Sequence, residues 1–245
     1  MQSAEILETA TAALLFAAAF AFGGRVHPLR SLVRDRRSVI SFGAGMSAAY
    51  VFVHLMPELT RVRRVFAASA SVPLRYEGMS IYFLALLGFL VFYALDHLRT
   101  RLREPGPTQQ GGPAFRLHVG GFAVYVWLLG YLLVRDLEDG PVSIGLYTLA
   151  ITCHLMAVDN ELRREHGDAY ERVGRFVLAG ASLAGWATGV LLELPPNVVA
   201  LLLAFLSGAI IMNSAIMELP SERDGRFLPF MIGGVVYGLI LIPLG

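Results

Sequence analysis

Runs of about twenty apolar residues recur from one end of this chain to the other, and they decide which solvent the fold needs. A hydrocarbon layer about 30 Å thick takes a helix of about 20 apolar residues to cross. Within it, only helices and closed barrels satisfy their own backbone hydrogen bonds. A soluble domain has about a quarter of its residues charged. Here 16% of the 245 residues are charged and 56% are hydrophobic, with a mean hydropathy of +0.60. No internal core of this size holds that surplus, so lipid must cover it. The expected fold class is all-α: one polytopic transmembrane domain over residues 1–245, in a bilayer.

Eight spans are expected, over residues 4–22, 38–57, 78–98, 115–134, 141–160, 173–193, 197–217 and 227–244. Glu5 and Glu8 precede the first apolar run, where a signal peptide would carry positive charge, so that run reads as a retained span. The segment 99–114 is rich in Pro, Gly and Gln and reads as a flexible loop. Residues 160–172 read as a helical extension of span five. Leu194-Pro195-Pro196 is a hard stop after span six.

Arginine placement sets the orientation. The connections after spans one, three, five and seven hold Arg25, Arg30, Arg34, Arg36, Arg37, Arg99, Arg101, Arg103, Arg116, Arg163, Arg164, Arg172, Arg175, Arg223 and Arg226. The opposite side holds Arg61, Arg63, Arg64, Arg75 and Arg135. The richer side is expected in the cytoplasm of a bacterial inner (plasma) membrane protein, with both termini outside. This pattern accounts for the basic residues without nucleic acid. A single Cys, Cys153, excludes an intrachain disulfide and a multi-Cys metal knot.

Two segments share one frame. Ser41–Glu58 reads SFGAGMSAAYVFVHLMPE, and Phe205–Pro220 reads FLSGAIIMNSAIMELP. Phe42 and Phe205 stand three residues before Gly45 and Gly208, and those glycines stand twelve residues before Pro57 and Pro220. Spans two and seven run in opposite directions across the membrane. A shared frame on oppositely directed spans is the mark of an inverted repeat, spans one to three against six to eight, with four and five between. Transporters build midplane sites from such repeats. Two unrelated Gly-rich helices are the alternative.

On these residues the chain resembles the ZIP family of divalent-metal transporters. Gly43–Glu58, GAGMSAAYVFVHLMPE, is similar to that family's second helix. Ala204–Pro220 and the stretch Gly233-Gly234-Val235-Val236-Tyr237-Gly238 are similar to its seventh and eighth. The resemblance implies a transporter with eight spans, carrying a divalent cation such as Zn, Fe or Mn past ligands on spans four and five. There the chain departs from the family pattern. Span four keeps only the His of the family motif, in His118-Val119-Gly120-Gly121-Phe122-Ala123. Span five keeps a His and a terminal acid, in His154-Leu155-Met156-Ala157-Val158-Asp159. His154 and Asp159 are five apart, about 140° around a helix, so they do not share a face. The metal-site candidates are His154, Asp159 and His118, with His54 and Glu58 outside and Asn213 and Glu218 along span seven.

Each candidate has a plainer reading. His54 and Glu58, at i and i+4, are an outer metal-gathering pair or an interfacial His beside a helix-end Glu. Glu218 guards an inner exit or ends a helix in water. Asn213 is a ligand or interhelical glue. His154, the most internal ionisable group, is a ligand or a packed, hydrogen-bonded imidazole. Gly185 and Gly189 have GxxxG spacing, which calls for a close helix partner in the same chain or in a homodimer. A ZIP-like fold without divalent-metal transport, serving another solute, a sensor role or a partner protein, is the second function class. The third is an enzyme. Glu165–Val173, EHGDAYERV, resembles a segment of membrane prenylcysteine methyltransferases, but the Arg-His-Pro expected before it is missing. GxSxG, HExxH and a carboxylate pair within a span are also missing, so the chain reads as a non-enzyme.

Overall fold

The computed structural model describes residues 3–25, 36–69, 74–102, 111–135, 141–214 and 226–242. Among these the chain is almost entirely helical and contains no strand. The first helix, α1, is Ser3–Phe22, closed by a 3-10 turn at Gly23–Arg25. Arg36–Tyr50, a π segment at Val51–Leu55 and Met56–Ser69 form one rod, α2. Then come α3 (Leu74–Arg101), α4 (Pro113–Arg135) and α5 (Pro141–Ala169). A π turn at Tyr170–Gly174 leads into α6 (Arg175–Leu191), followed by α7 (Pro196–Asn213) and α8 (Phe227–Leu241).

Among the described residues, five helices are long and apolar enough to cross a membrane: Glu5–Phe22, Met79–Arg101, Pro113–Arg135, Ile144–Leu191 and Pro196–Asn213. The fourth covers 48 residues and takes in both α5 and α6. Phe227–Leu241 is apolar but shorter. The chain has the build of a helical membrane protein. Its outer surface agrees with this: Phe83, Leu86 and Leu90 on α3, and Leu228, Val235 and Leu239 on α8, are exposed. Apolar side chains on such faces need lipid rather than water around them.

Two boundaries differ from the sequence expectation. Residues 160–172 were expected to extend span five. The helix does extend to Ala169, with a break at Gly167, and the chain then passes through a π turn into α6 without a loop. Span two was expected to stop at Pro57, yet the rod continues to Ser69. A proline inside a helix has no N–H for the carbonyl four residues back and crowds it. The π segment just before Pro57 absorbs this defect, with the Met56 N–H bonding to the Val51 carbonyl five residues back. The expected stop at the double proline does occur. Residues 192–195 leave the helix, and Pro196 opens α7, where its missing N–H costs nothing.

The helices pack in two groups. α1 lies against α5 and α6, and α4 lies against α6; α2 lies against α8 and α7, and α3 against α7. The groups meet where α2 touches α5, α3 touches α4 and α4 touches α7. α4 is the most enclosed helix, burying Tyr125, Leu129, Tyr131 and Leu133. Tyr237 of α8 donates a 2.6 Å hydrogen bond to the Leu146 carbonyl of α5, a further tie between the groups.

The closest packing is backbone on backbone. A Cβ on Gly45 would overlap the Phe230 carbonyl oxygen and the Gly234 nitrogen, and one on Gly233 would overlap the Phe42 carbonyl. These residues join α2 to α8. Between α7 and α3 the same set recurs: a Cβ on Gly208 would overlap the Ala85 carbonyl oxygen and the Phe89 nitrogen, and one on Gly88 the Phe205 carbonyl. Gly185 and Gly189 face the Trp127 and Tyr131 carbonyls, so the GxxxG partner is α4 of the same chain.

These contacts predict a sharp contrast among glycines. Gly208→Ala should destabilise the detergent-solubilised protein by about 1–3 kcal/mol, because the new methyl has only backbone to displace. Gly120→Ala, where a Cβ meets nothing within 4 Å, should be neutral or stabilising by up to about 1 kcal/mol. Thermal unfolding of the two variants checks this; equal melting temperatures would contradict the packing.

Candidate functional site

The polar residues of α5 lie in three tiers along its length. His154 is the first, buried with 1% of its surface exposed. Its Nε2 lies 2.7 Å from the Tyr125 hydroxyl on α4, which is itself fully enclosed. Tyr125, in the middle of α4, is thus the partner of His154. Cys153, one residue before, packs its Cβ 3.7 Å from where a Gly43 side chain would begin on α2.

Asp159 is the second tier, 2% exposed. It sits four residues before Arg163, one helical turn away, and the pair closes with oxygens 3.0 Å from Nη2. Tyr170, from the π turn, donates a 2.7 Å hydrogen bond to Asp159 Oδ1. Arg163 also pairs with Glu171, which in turn pairs with Arg175 at 3.3 Å. Arg175 Nη1 reaches the Ala21 carbonyl at 3.4 Å. Gly23 and Gly24 close the network from the α1 side. A Cβ on Gly23 would strike the Asp159 carboxylate, and one on Gly24 the Arg163 guanidinium. Two acids, two arginines and a phenol therefore lock the end of α1 to the junction of α5 and α6.

The third tier, Glu165 and His166, stands at the break of α5. Gly167 follows with φ 49° and ψ −126°, a backbone state that a residue with a side chain rarely adopts. Across from this break lies His118, near the start of α4 and 2% exposed. His118 Nδ1 is 2.9 Å from His166 Nε2 and 3.5 Å from Glu165 Oε2. Glu165 Oε1 pairs with Arg99 of α3, which also bonds Asp96. Glu165 Oε2 is buried and has no hydrogen-bond partner. Among the described residues, His118, Glu165 and His166 are the one set of three His, Cys, Asp or Glu side chains whose ligand atoms all lie within 4.8 Å of one another.

The other sequence candidates are placed apart. His54 lies in the π segment of α2, half-buried, with its ring stacked on Tyr50 at 5.1 Å between centroids. Glu58 pairs with Arg61 at 2.6 Å, one turn on. Asn213, at the end of α7, is 1% exposed, and its Nδ2 has no hydrogen-bond partner. The adjacent Ser214 hydroxyl is 3.1 Å from that of Ser47 on α2. Glu218 lies outside the described residues. Of the candidates among the described residues, His118 is therefore the one with two other metal-ligating side chains gathered at it.

Sequence reading missed Glu165 and His166 as partners of His118, and Tyr170 and Arg163 as partners of Asp159. A signal for the first was present. α4 begins and α5 ends on the same side of the bundle, so a His early in one and a Glu-His pair late in the other belong to one level. No protein-family model matches the chain, and no curated protein matches it in sequence.

The Asp159 network makes a quantitative prediction. Asp159→Asn leaves Arg163 with Glu171 as its remaining carboxylate and should cost about 1–3 kcal/mol. Tyr170→Phe removes one hydrogen bond to a charged group and should cost about 1.5–3 kcal/mol. Thermal or denaturant unfolding in detergent measures both, and the double variant should lose less than the sum. Simple additivity would mean that the two side chains do not interact.

Proposed function

We propose that this chain is an eight-span membrane transporter of ZIP-like build, with divalent metal cations as the cargo class that the resemblance implies. The observation that carries the reading is the doubled glycine crossing. Phe42, Gly45, Phe230 and Gly233 on α2 and α8 make the same backbone contacts as Phe205, Gly208, Ala85 and Gly88 on α7 and α3. Adding 163 turns Phe42 and Gly45 into Phe205 and Gly208; adding 145 turns Ala85 and Gly88 into Phe230 and Gly233. A repeat of spans one to three in spans six to eight pairs α2 with α7 and α3 with α8, which is this correspondence.

The mechanism that goes with it is motion of one helix group against the other. α1, α4, α5 and α6 would move against α2, α3, α7 and α8, opening a site between α2, α4, α5 and α7 to each side in turn. The buried polar atoms that lack hydrogen-bond partners include Thr148 Oγ1 and Thr152 Oγ1 on α5 and Asn213 Nδ2 on α7. Thr148 and Thr152 are four apart and share one face of α5. Unsatisfied buried polar groups are costly, and a hydrated cargo passing along these helices would satisfy them.

One observation favours the second reading, a fold of this kind that does not carry divalent metals. Two of the residues that the resemblance places at the transport site are already engaged, His154 with Tyr125 and Asp159 with Arg163 and Tyr170. A metal entering there would have to displace an arginine.

Uptake of Zn²⁺, Mn²⁺ and Fe²⁺ into proteoliposomes of the purified protein separates the two. The transporter reading expects flux above empty liposomes, lowered about tenfold or more in His154→Ala. Equal flux in wild type and His154→Ala would remove His154 from the pathway. No flux of any of the three ions would leave the non-metal reading.

A further inference from the structure

We propose that His118, Glu165 and His166 form a resident binding site for one divalent transition metal ion of the Zn²⁺ class, separate from any transport pathway through the middle of the bundle. Eleven residues separate His154 from Glu165 on α5, about 16 Å along a helix. The site lies at the break of α5, at the end of the bundle where α3 and α5 finish and α4 begins.

The donor set fits the ion. Zn²⁺ takes imidazole nitrogen and carboxylate oxygen at about 2.0–2.2 Å in a tetrahedron, which places neighbouring ligand atoms about 3.3 Å apart. The observed separations of 2.9 Å between the imidazole nitrogens and 3.5 Å between His118 Nδ1 and Glu165 Oε2 bracket that edge. Water would complete the shell from the partly exposed side of Glu165 and His166. Two neutral imidazoles and one carboxylate leave a bound dication with one net positive charge.

The surroundings point to a ligand as well. Glu165 Oε1 is fixed by Arg99, so the carboxylate is oriented and its second oxygen faces His118. That second oxygen is buried with no hydrogen-bond partner, a cost that an ion would cancel. Ligating carboxylates are commonly held in this way by a charged neighbour. The His118–His166 contact holds one proton between two nitrogens. On metal binding that proton moves to the other nitrogen of the same ring, so neutral imidazoles lose none. Gly167 allows the chain to turn immediately after His166, which keeps Glu165 and His166 at the helix end.

An ion here would tie α4 to α5 directly and, through Arg99, tie both to α3. α3 belongs to the other packing group, so occupancy would stiffen the junction between the two groups. The binding itself does not rest on the transport reading.

Co²⁺ titration of the full-length protein in detergent tests the site. The expected result is one Co²⁺ per chain with the intense visible absorption of a tetrahedral site, displaced by Zn²⁺. Glu165→Gln and His166→Gln should abolish that absorption or weaken binding at least a hundredfold. Arg99→Gln should weaken it about 10–100-fold. His97→Gln, an exposed histidine on α3, should leave it unchanged. A wild-type protein without tetrahedral Co²⁺, or unchanged affinity in Glu165→Gln and His166→Gln, overturns the proposal. If the ligand variants do not fold, X-ray absorption of the Zn²⁺-loaded wild type decides: two imidazoles and a carboxylate support the site, and any other shell overturns it. The uptake assay and this titration fail independently, since one reads flux and the other bound ion.

Discussion

Contact between helix backbones at glycine is the constraint on which the rest of this structure depends. In lipid the hydrophobic effect does not drive helices together, because the solvent is as apolar as the side chains. What remains is close van der Waals packing and interhelical hydrogen bonding. Gly45 and Gly233 bring α2 to α8, Gly88 and Gly208 bring α3 to α7, and Gly130 and Gly185 bring α4 to α6. Once those three pairs are set, α1 and α5 fill the remaining space. Trp186 of α6 reaches Thr9 of α1 at 3.2 Å, and Ser182 reaches the Ala13 carbonyl at 3.3 Å. The hydrogen bonds are secondary to the glycine contacts, since they join helices already held at short range.

The sequence showed the solvent and the helices because both rest on local properties. Apolar runs of the right length, the Pro195-Pro196 stop and the extension of span five are visible in consecutive residues, and the helices follow them. Pro57 misled because the usual rule ends a helix there, while a π turn two to six residues earlier removes the clash at small cost. The glycine frame was half legible. Phe42-Gly45 and Phe205-Gly208 stand out by spacing, but Gly88 and Gly233 acquire meaning only as partners across a helix contact. Partnership of that kind is not written in either helix alone.

The candidate site was less legible, for the same reason. His154, Asp159 and His118 were found because ionisable groups inside apolar runs are conspicuous. Their partners were not. Tyr125 looks like any aromatic of a span, and Tyr170 and Arg163 belong to a stretch that reads as a polar surface helix. Glu165 and His166 lie in that stretch too. A helix of 29 residues that carries apolar spacing at one end and charge at the other does not reveal which charged residues turn inward. That depends on the break at Gly167 and on where α4 begins.

Among the described residues, two chains of ion pairs stand at the end of the bundle where α5 breaks. Asp159, Arg163, Glu171 and Arg175 form one chain of ion pairs, and Asp96, Arg99 and Glu165 form another. In the first, Asp159 is enclosed by an arginine, a phenol and Gly23, where an added Cβ would strike the carboxylate. That arrangement stabilises a helix junction and leaves the carboxylate little freedom to bind anything else. In the second, the pairing stops one atom short, at Glu165 Oε2. Two carboxylates on the same helix, six residues apart, thus have opposite characters. One is saturated by its own fold, and the other is oriented by an arginine toward two imidazoles that have the chemistry to share an ion with it.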